Sequence, residues 1–376
     1  MRRLTIVIIG VLAAVSLGSA QQTSGPYKVL KTARVGGEGG WDYIYADAAG
    51  RRLYIPRRGG PPPGAPGAPA GAAPAAPAAA TRLTIFNLDT LAPVGEIPDV
   101  GGNGTAVDPK SGHGFTSSKP VSMFDTKTMK LIKTIDVAAM SQPDGIYFDS
   151  FNQHVYVFSH PTKDATVIDA KDGSVLGTID LGGVPEQAVG DGAGTVYAVM
   201  QDAQGSVTVI DAKTMKATAH YPLGDKGGCN GLALDAKNHI LFAACARSGA
   251  ATTQPAAAGP PQPTQPMMVV LSATDGHVIT SLPLAGGSDG AVFNPATSEA
   301  FSTHGNGTLT VVKEKSPTSF EVEQNLDTMN GARTNAFDSK TNHLFTMADE
   351  RGPAPAGGRG RGPAIPGSFT ILMIGK

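Results

Sequence analysis

Seven polar residues recur at one position of the chain, five residues before an Asp or Asn that ends an apolar run. They are Asp42, Asn103, Asp144, Glu186, Asn230, Asp289 and Arg333. Four are acidic and one is basic. If the fold gathers them, the carboxylates repel and each resists ionisation unless a cation or Arg333 compensates. Carboxylate and amide oxygens are what hard cations such as Ca²⁺ select, so a divalent cation or a cationic ligand suits the set. The same residue types have a purely structural use, because Asp and Asn side chains cap turns. Gly104, Gly145, Gly231 and Gly290, each directly after one of these positions, fit a tight turn in the same reading.

A second polar set follows the next apolar run of each copy: Arg57, Arg58, Lys119, Ser159, His160, Gln201, His304 and Glu350. His160 and His304 are its two imidazoles, and either has the chemistry of a general base or a metal ligand. The mixture of signs suits an anionic or zwitterionic small molecule. The chain carries no nucleophile elbow, P-loop, HExxH, dinucleotide fingerprint or zinc-ligand spacing. With 30 basic against 31 acidic residues and 6% aromatics, nucleic acid is disfavoured as a partner.

The elements that must position these residues come from an internal repeat. An apolar run ends in Asp47, Asp108, Asp149, Asp191, Asp235, Asn294 or Asp338, and a short turn follows. An aromatic comes next, at Tyr54, Phe115, Tyr156, Tyr197, Phe242, Phe301 or Phe345. Copies lie 41 to 44 residues apart, except for two longer spacings that contain Pro/Ala-rich insertions. That period and the alternating β-branched runs such as VTVIDAKTMKATAHYPLG specify four-stranded blades. Forty-eight Gly and 29 Pro argue against a helical protein. The expected fold is therefore all-β, a seven-bladed propeller. The C-terminal SFTILMIGK supplies a third strand with no fourth after it, and residues 28–35 (KVLKTARV) match the fourth strand at 130–137 (KLIKTIDV). The N-terminal strand should complete the last blade, close the ring and remove its open edges. In such a ring the seven repeated polar positions begin the innermost strands and crowd one mouth of the central channel.

Copies such as DGIYFDSFNQHVYV and ATVIDAKDGSVLGTIDLG resemble the YVTN-repeat (YncE-like) family of extracytoplasmic seven-bladed propellers, over nearly all of the chain after its leader. The repeat is specific for fold and weak for function. It implies a binding or scaffold protein whose channel mouth takes a small ligand, an envelope polymer or a protein. The alternative, by likeness to lactonase propellers in architecture alone, is a metal-dependent hydrolase with an Asp/Glu/Asn site at the mouth, which implies Glu186, Asn230 and Asp289 as candidate metal ligands and His160 or His304 as the base.

Residues 1–20 read as a cleavable signal peptide: Arg2 and Arg3, an apolar stretch, then Gly18-Ser19-Ala20. Residues 21–376 form the single propeller, periplasmic or secreted and monomeric, with no further stretch long enough to span a bilayer. Low-complexity insertions at 59–80, 248–266 and 351–367 fall between the second and third strands of the first, fifth and seventh blades, at one face. Cys229 and Cys245 are the only cysteines. Counting back from the hairpin turn sets Asn230 opposite Cys245 with Cys229 beside it, close enough for a disulfide. Two buried thiols are the alternative.

Overall fold

The computed structural model describes residues 24–59, 79–137, 139–248, 265–353 and 362–376. The expected signal peptide, the greater part of the first two expected insertions, and residues 354–361 of the third lie outside them. The described chain folds into seven four-stranded antiparallel sheets, with no helix among the described residues. Six sheets use four consecutive strands. The seventh pairs Asn335–Asp338, His343–Ala348 and Thr370–Gly375 with the N-terminal strand Lys28–Arg34 on its outer edge. The ring is closed as the repeats anticipated.

The repeat has a local cause. Each Asp or Asn that ends an innermost strand accepts backbone N–H groups from the turn that follows. Asp108 accepts from Lys110 at 2.8 Å, Asp191 from Ala193 at 2.8 Å and Asp338 from Lys340 at 3.0 Å. The side chain thus replaces a backbone acceptor and fixes the hairpin. The aromatic that follows sits on the second strand and is wholly buried in six copies, and 5% exposed at Tyr197.

Burial peaks at the second and third strands of each blade and falls off at the outer one. Third strands such as Asp164–Asp169 and Ser206–Asp211 are buried on both faces, because each sheet is sandwiched between its neighbours. Outer strands such as Val175–Asp180 are exposed along most of their length. Seven apolar clusters result, and each joins two adjacent blades. The junction of the first and seventh blades, where the chain ends meet, is built like the others: Leu53, Ile55 and Phe86 pack on Phe345, Met347 and Ile371.

Cys229 and Cys245 form a disulfide in the fifth blade. The two face each other directly in the register, their Cα atoms 3.8 Å apart. This differs in detail from the sequence reading, which set Asn230 opposite Cys245. The pairing shifts by one residue between Cys229 and Gly231, so Asn230 is extruded and Cys229 takes its place.

Candidate functional site at the channel mouth

That shift recurs. The innermost strands of the third, fourth, fifth and sixth blades each carry one extra residue relative to their partner strand. The irregularities fall at Pro143/Ile146, Pro185/Ala188, Cys229/Gly231 and Ser288/Gly290. They coincide with Asp144, Glu186, Asn230 and Asp289. A bulge re-aims its residue out of the alternation of the strand, which brings these four polar side chains to the mouth. The glycines beside them serve close approach rather than a turn. A Cβ on Gly145 would lie 2.7 Å from the carbonyl oxygen of Glu186, and one on Gly231 would lie 2.8 Å from the amide nitrogen of Ala291.

The mouth has two chemically distinct sides. On the side of the third and fourth blades, His160 Nε2 lies 3.1 Å from Asp144 Oδ2 and 3.4 Å from Glu186 Oε1. Their ligating atoms all fall within 4.8 Å of one another, the one such acid and imidazole group among the described residues. Asn103 donates to Asp144 Oδ1 at 2.8 Å, and Gln201 donates to Glu186. The Tyr43 hydroxyl reaches across from the first blade, 2.8 Å from Glu186 Oε2 and 3.3 Å from Asp144 Oδ2.

These contacts split the two carboxyls. Burial, then the charge of Asp144, pushes Glu186 up to about 8. Burial opposes ionisation of Asp144 too, but the hydrogen bond and charge of His160, with the Tyr43 and Asn103 donors, outweigh it and hold Asp144 below its ordinary value. His160 is raised, chiefly by its hydrogen bond to Asp144. His160 thus holds its proton more tightly beside Asp144, and Glu186 keeps its own up to about pH 8. Carboxyls driven apart in this way can hand a proton to a ligand or give it up to a cation.

The opposite side is organised by guanidinium groups. Arg333 places Nη2 3.0 Å from Asp42 Oδ1 and pairs through Nε with Asp289. Asp289 accepts from Asn230 Nδ2 at 3.0 Å. Arg58 donates to Asn103 and, at 3.2 Å, to the Trp41 carbonyl. All seven repeated positions thus carry a polar contact at the mouth, and Arg58 and Asn103 link the two sides. Of the proposed metal set, Asn230 and Asp289 are bonded to each other with Arg333 on Asp289, while Glu186 belongs to the group of Asp144 and His160. Arg57 is 2% exposed; it donates to the Gly37 and Gly39 carbonyls, and its guanidinium carbon lies 3.9 Å from the centre of the Phe369 ring.

His304 is not at an open rim. It is wholly buried in the sixth blade, its Nδ1 is 2.9 Å from Thr308 Oγ1, and burial lowers it to about 3. The Thr308 hydroxyl donates to Asn306, so His304 is the neutral Nδ1–H tautomer.

Tyr43 is the residue that sequence reasoning passed over. It occupies the position held by Gly in four other copies, and a bulky side chain where neighbours need none was the available signal. Below it the channel becomes apolar: a cavity of about 380 Å³ lined by Tyr45, Ile146, Tyr147, Val189, Phe293 and Phe337 among others. Tyr43 therefore separates a polar basin from an apolar channel.

The fold and this mouth define a seven-bladed β-propeller with a closed ring and a polar basin at one end. No family model matches the chain, and no curated protein matches it in sequence. Solved structures share the architecture. A chain of Kuenenia stuttgartiensis hydrazine synthase superposes with a TM-score of 0.65 at 15% identity, over 88% of this chain and 95% of that one. A chain of a mitotic checkpoint complex gives 0.64 at 10% identity, over 100% and 98%. The WD40 repeats of RRP9 give 0.65 at 9% identity, over 93% and 99%. At these identities the likeness is one of fold.

Proposed function

We propose that this protein is an extracytoplasmic binding propeller of the YVTN-repeat kind that captures a small polar ligand in the basin above Tyr43. The observation that carries this reading is the convergence of all seven repeated polar positions on one mouth, four of them re-aimed by bulges. Turn capping does not explain that arrangement, because the capping is done by the other Asp/Asn residues, five positions later. The disulfide is compatible with a compartment that keeps thiols oxidised. The basin also has room for one residue of a polymer or of a protein partner. The test is the thermal midpoint of the full chain, and of its Asp144→Asn variant, against a panel of small amines, carboxylates, sugars and zwitterions. A midpoint raised in the wild type and not in the variant supports the reading. A silent panel refutes it.

One observation favours a second reading, a metal-dependent hydrolase of the lactonase kind. Separations of 3.1 and 3.4 Å among Asp144, His160 and Glu186 are near the edge of a tetrahedron with bonds of about 2.0–2.2 Å. An imidazole in the set favours Zn²⁺ over Ca²⁺. Such an ion would displace the protons that the group now holds and polarise a bound ester carbonyl. A midpoint that falls with EDTA and recovers with Zn²⁺ supports this reading. One indifferent to both, with no lactone hydrolysis, removes it.

A further inference from the structure

Between the first and seventh blades lies a chamber of about 360 Å³, next to the basin and sharing Arg58 and Arg333 with it. Its walls bring four arginines, Arg57, Arg58, Arg333 and Arg351, against two acids, Glu38 and Asp349. Three of the arginines already have an acidic neighbour. Arg333 holds Asp42 and Asp289, Arg351 holds Asp349 with Nε 2.8 Å from Oδ1, and Arg58 approaches Asp42 at 4.0 Å.

Arg57 differs. It is the most buried of the four, and no carboxylate lies within ion-pair distance of it among the described residues. Backbone carbonyls take its Nη2, and its Nε has no partner. Burial lowers its proton affinity to about 10, still far above neutrality, so it stays charged. Asp349 and Glu38 offset part of the cost of burying this charge from beyond ion-pair distance, and an unsatisfied buried donor asks for an acceptor. The chamber is also half apolar. Trp41 and Phe369 line it, with ring centres 5.9 Å apart, and Ile365 lies at its edge with 41% of its surface exposed.

We infer that this chamber binds a small organic carboxylate, its head between Arg57 and Arg58 and its body against Trp41, Phe369 and Ile365. The inference rests on the reading of the mouth as a ligand site and names the class of ligand. A planar carboxylate matches the guanidinium fork, and the aromatic walls exclude water from the pair. The apolar walls Trp41, Phe369 and Ile365, rather than the charge count, favour an organic anion over a strongly hydrated one such as sulfate. The carbonyls of Gly37 and Gly39 hold Arg57 in place before the ligand arrives.

Calorimetric titration of the full chain tests this, with benzoate as probe, benzamide as its neutral isostere and sulfate as an inorganic anion. Benzoate should bind saturably, with benzamide and sulfate at least about tenfold weaker. Arg57 is buried at the end of its strand, so Arg57→Met alone is a poor test if it unfolds the blade. Arg58→Ala and Arg351→Ala lie at the exposed edge, and each should weaken benzoate about five- to tenfold with the far-ultraviolet spectrum unchanged. Equal binding of benzamide, equal binding of sulfate, or indifference to both edge variants would overturn the inference. If benzoate is silent while an amine or sugar still raises the midpoint in an Asp144-dependent way, the carboxylate chamber falls and the basin remains a ligand site. If every probe is silent, both fall.

Discussion

The two sides of the mouth use one repeated position and solve the same electrostatic problem differently. Asp42 and Asp289 flank Arg333, which offsets part of their charge with one that does not titrate at any ordinary pH. Asp144 and Glu186 have no arginine bridging them. Their repulsion is relieved by a proton kept on Glu186 and another kept on His160. One half is therefore compensated mainly by a fixed cation, with only Asp42 raised by burial, while the other is compensated by exchangeable protons and should respond more strongly to pH. The comparison also assigns each half its ligand chemistry. Protons can be exchanged for a cation or an amine, whereas arginines select an anion.

The largest effect that would break this contrast is on stability against pH. The folded chain holds the Glu186 proton up to about pH 8, whereas an unfolded glutamate releases it near 4.5. Between those values the native state binds more protons than the unfolded state, so stability falls as pH rises through the window. The fall should be roughly 2–4 kcal/mol after relaxation of the site. His160 acts in the same direction. Its folded value is raised, so its contribution is complete below the ordinary imidazole value and is lost as pH rises through the folded one. Asp144 acts oppositely, giving stability that disappears only on acidification. Denaturant unfolding at pH 5 to 9, wild type against Glu186→Gln, isolates the glutamate. The variant should gain on the wild type steadily from pH 5 to 8.5. Parallel curves would mean that Glu186 is ionised in the native state and that the two halves do not differ.

The next effect lies on the opposite side. Arg333→Ala leaves Asp42 and Asp289 without their cation, in a setting where burial already raises Asp42. Removing one partner of a fully buried pair costs about 3–5 kcal/mol, and partial exposure of this pair reduces the expected loss to about 2 kcal/mol. That loss should shrink on acidification, as Asp42, already raised by burial, takes up a proton instead. A loss under half a kcal/mol would show that Arg333 does not compensate the ring.

These two contrasts locate what the sequence could disclose. The repeat period, the capping Asp/Asn and the aromatic seven residues later are local signals, and they carried the strand order and the closure by Lys28–Arg34. The seven mouth positions were legible for the same reason. Their groupings were not. Which polar side chain meets which depends on a one-residue bulge in four blades, and alternation along a strand cannot show a residue that has left the alternation. Tyr43 bonds to Asp144 and Glu186, more than 100 residues away, across the channel. His304 occupies the strand-end position of Ser159, one residue before that of His160, and that single step sets it inside the blade, where burial keeps it neutral.

The smallest expected effect sharpens the contrast most. The Arg58 side chain is 47% exposed, and its nearest carboxylate, on Asp42, is at 4.0 Å. An exposed pair of that geometry contributes little, so Arg58→Ala should change stability by less than about 0.5 kcal/mol. If the basic half is a binding surface, the same substitution should still weaken benzoate. Arg333→Ala should weaken stability and binding together, because it dismantles the Asp42–Asp289 bridge as well as the chamber wall. Stability and affinity would then separate at Arg58 and coincide at Arg333. If Arg58→Ala destabilises as much as Arg333→Ala, the arginines of this half are structural ballast for the carboxylate ring, and the division of the mouth into two ligand-selective halves does not hold.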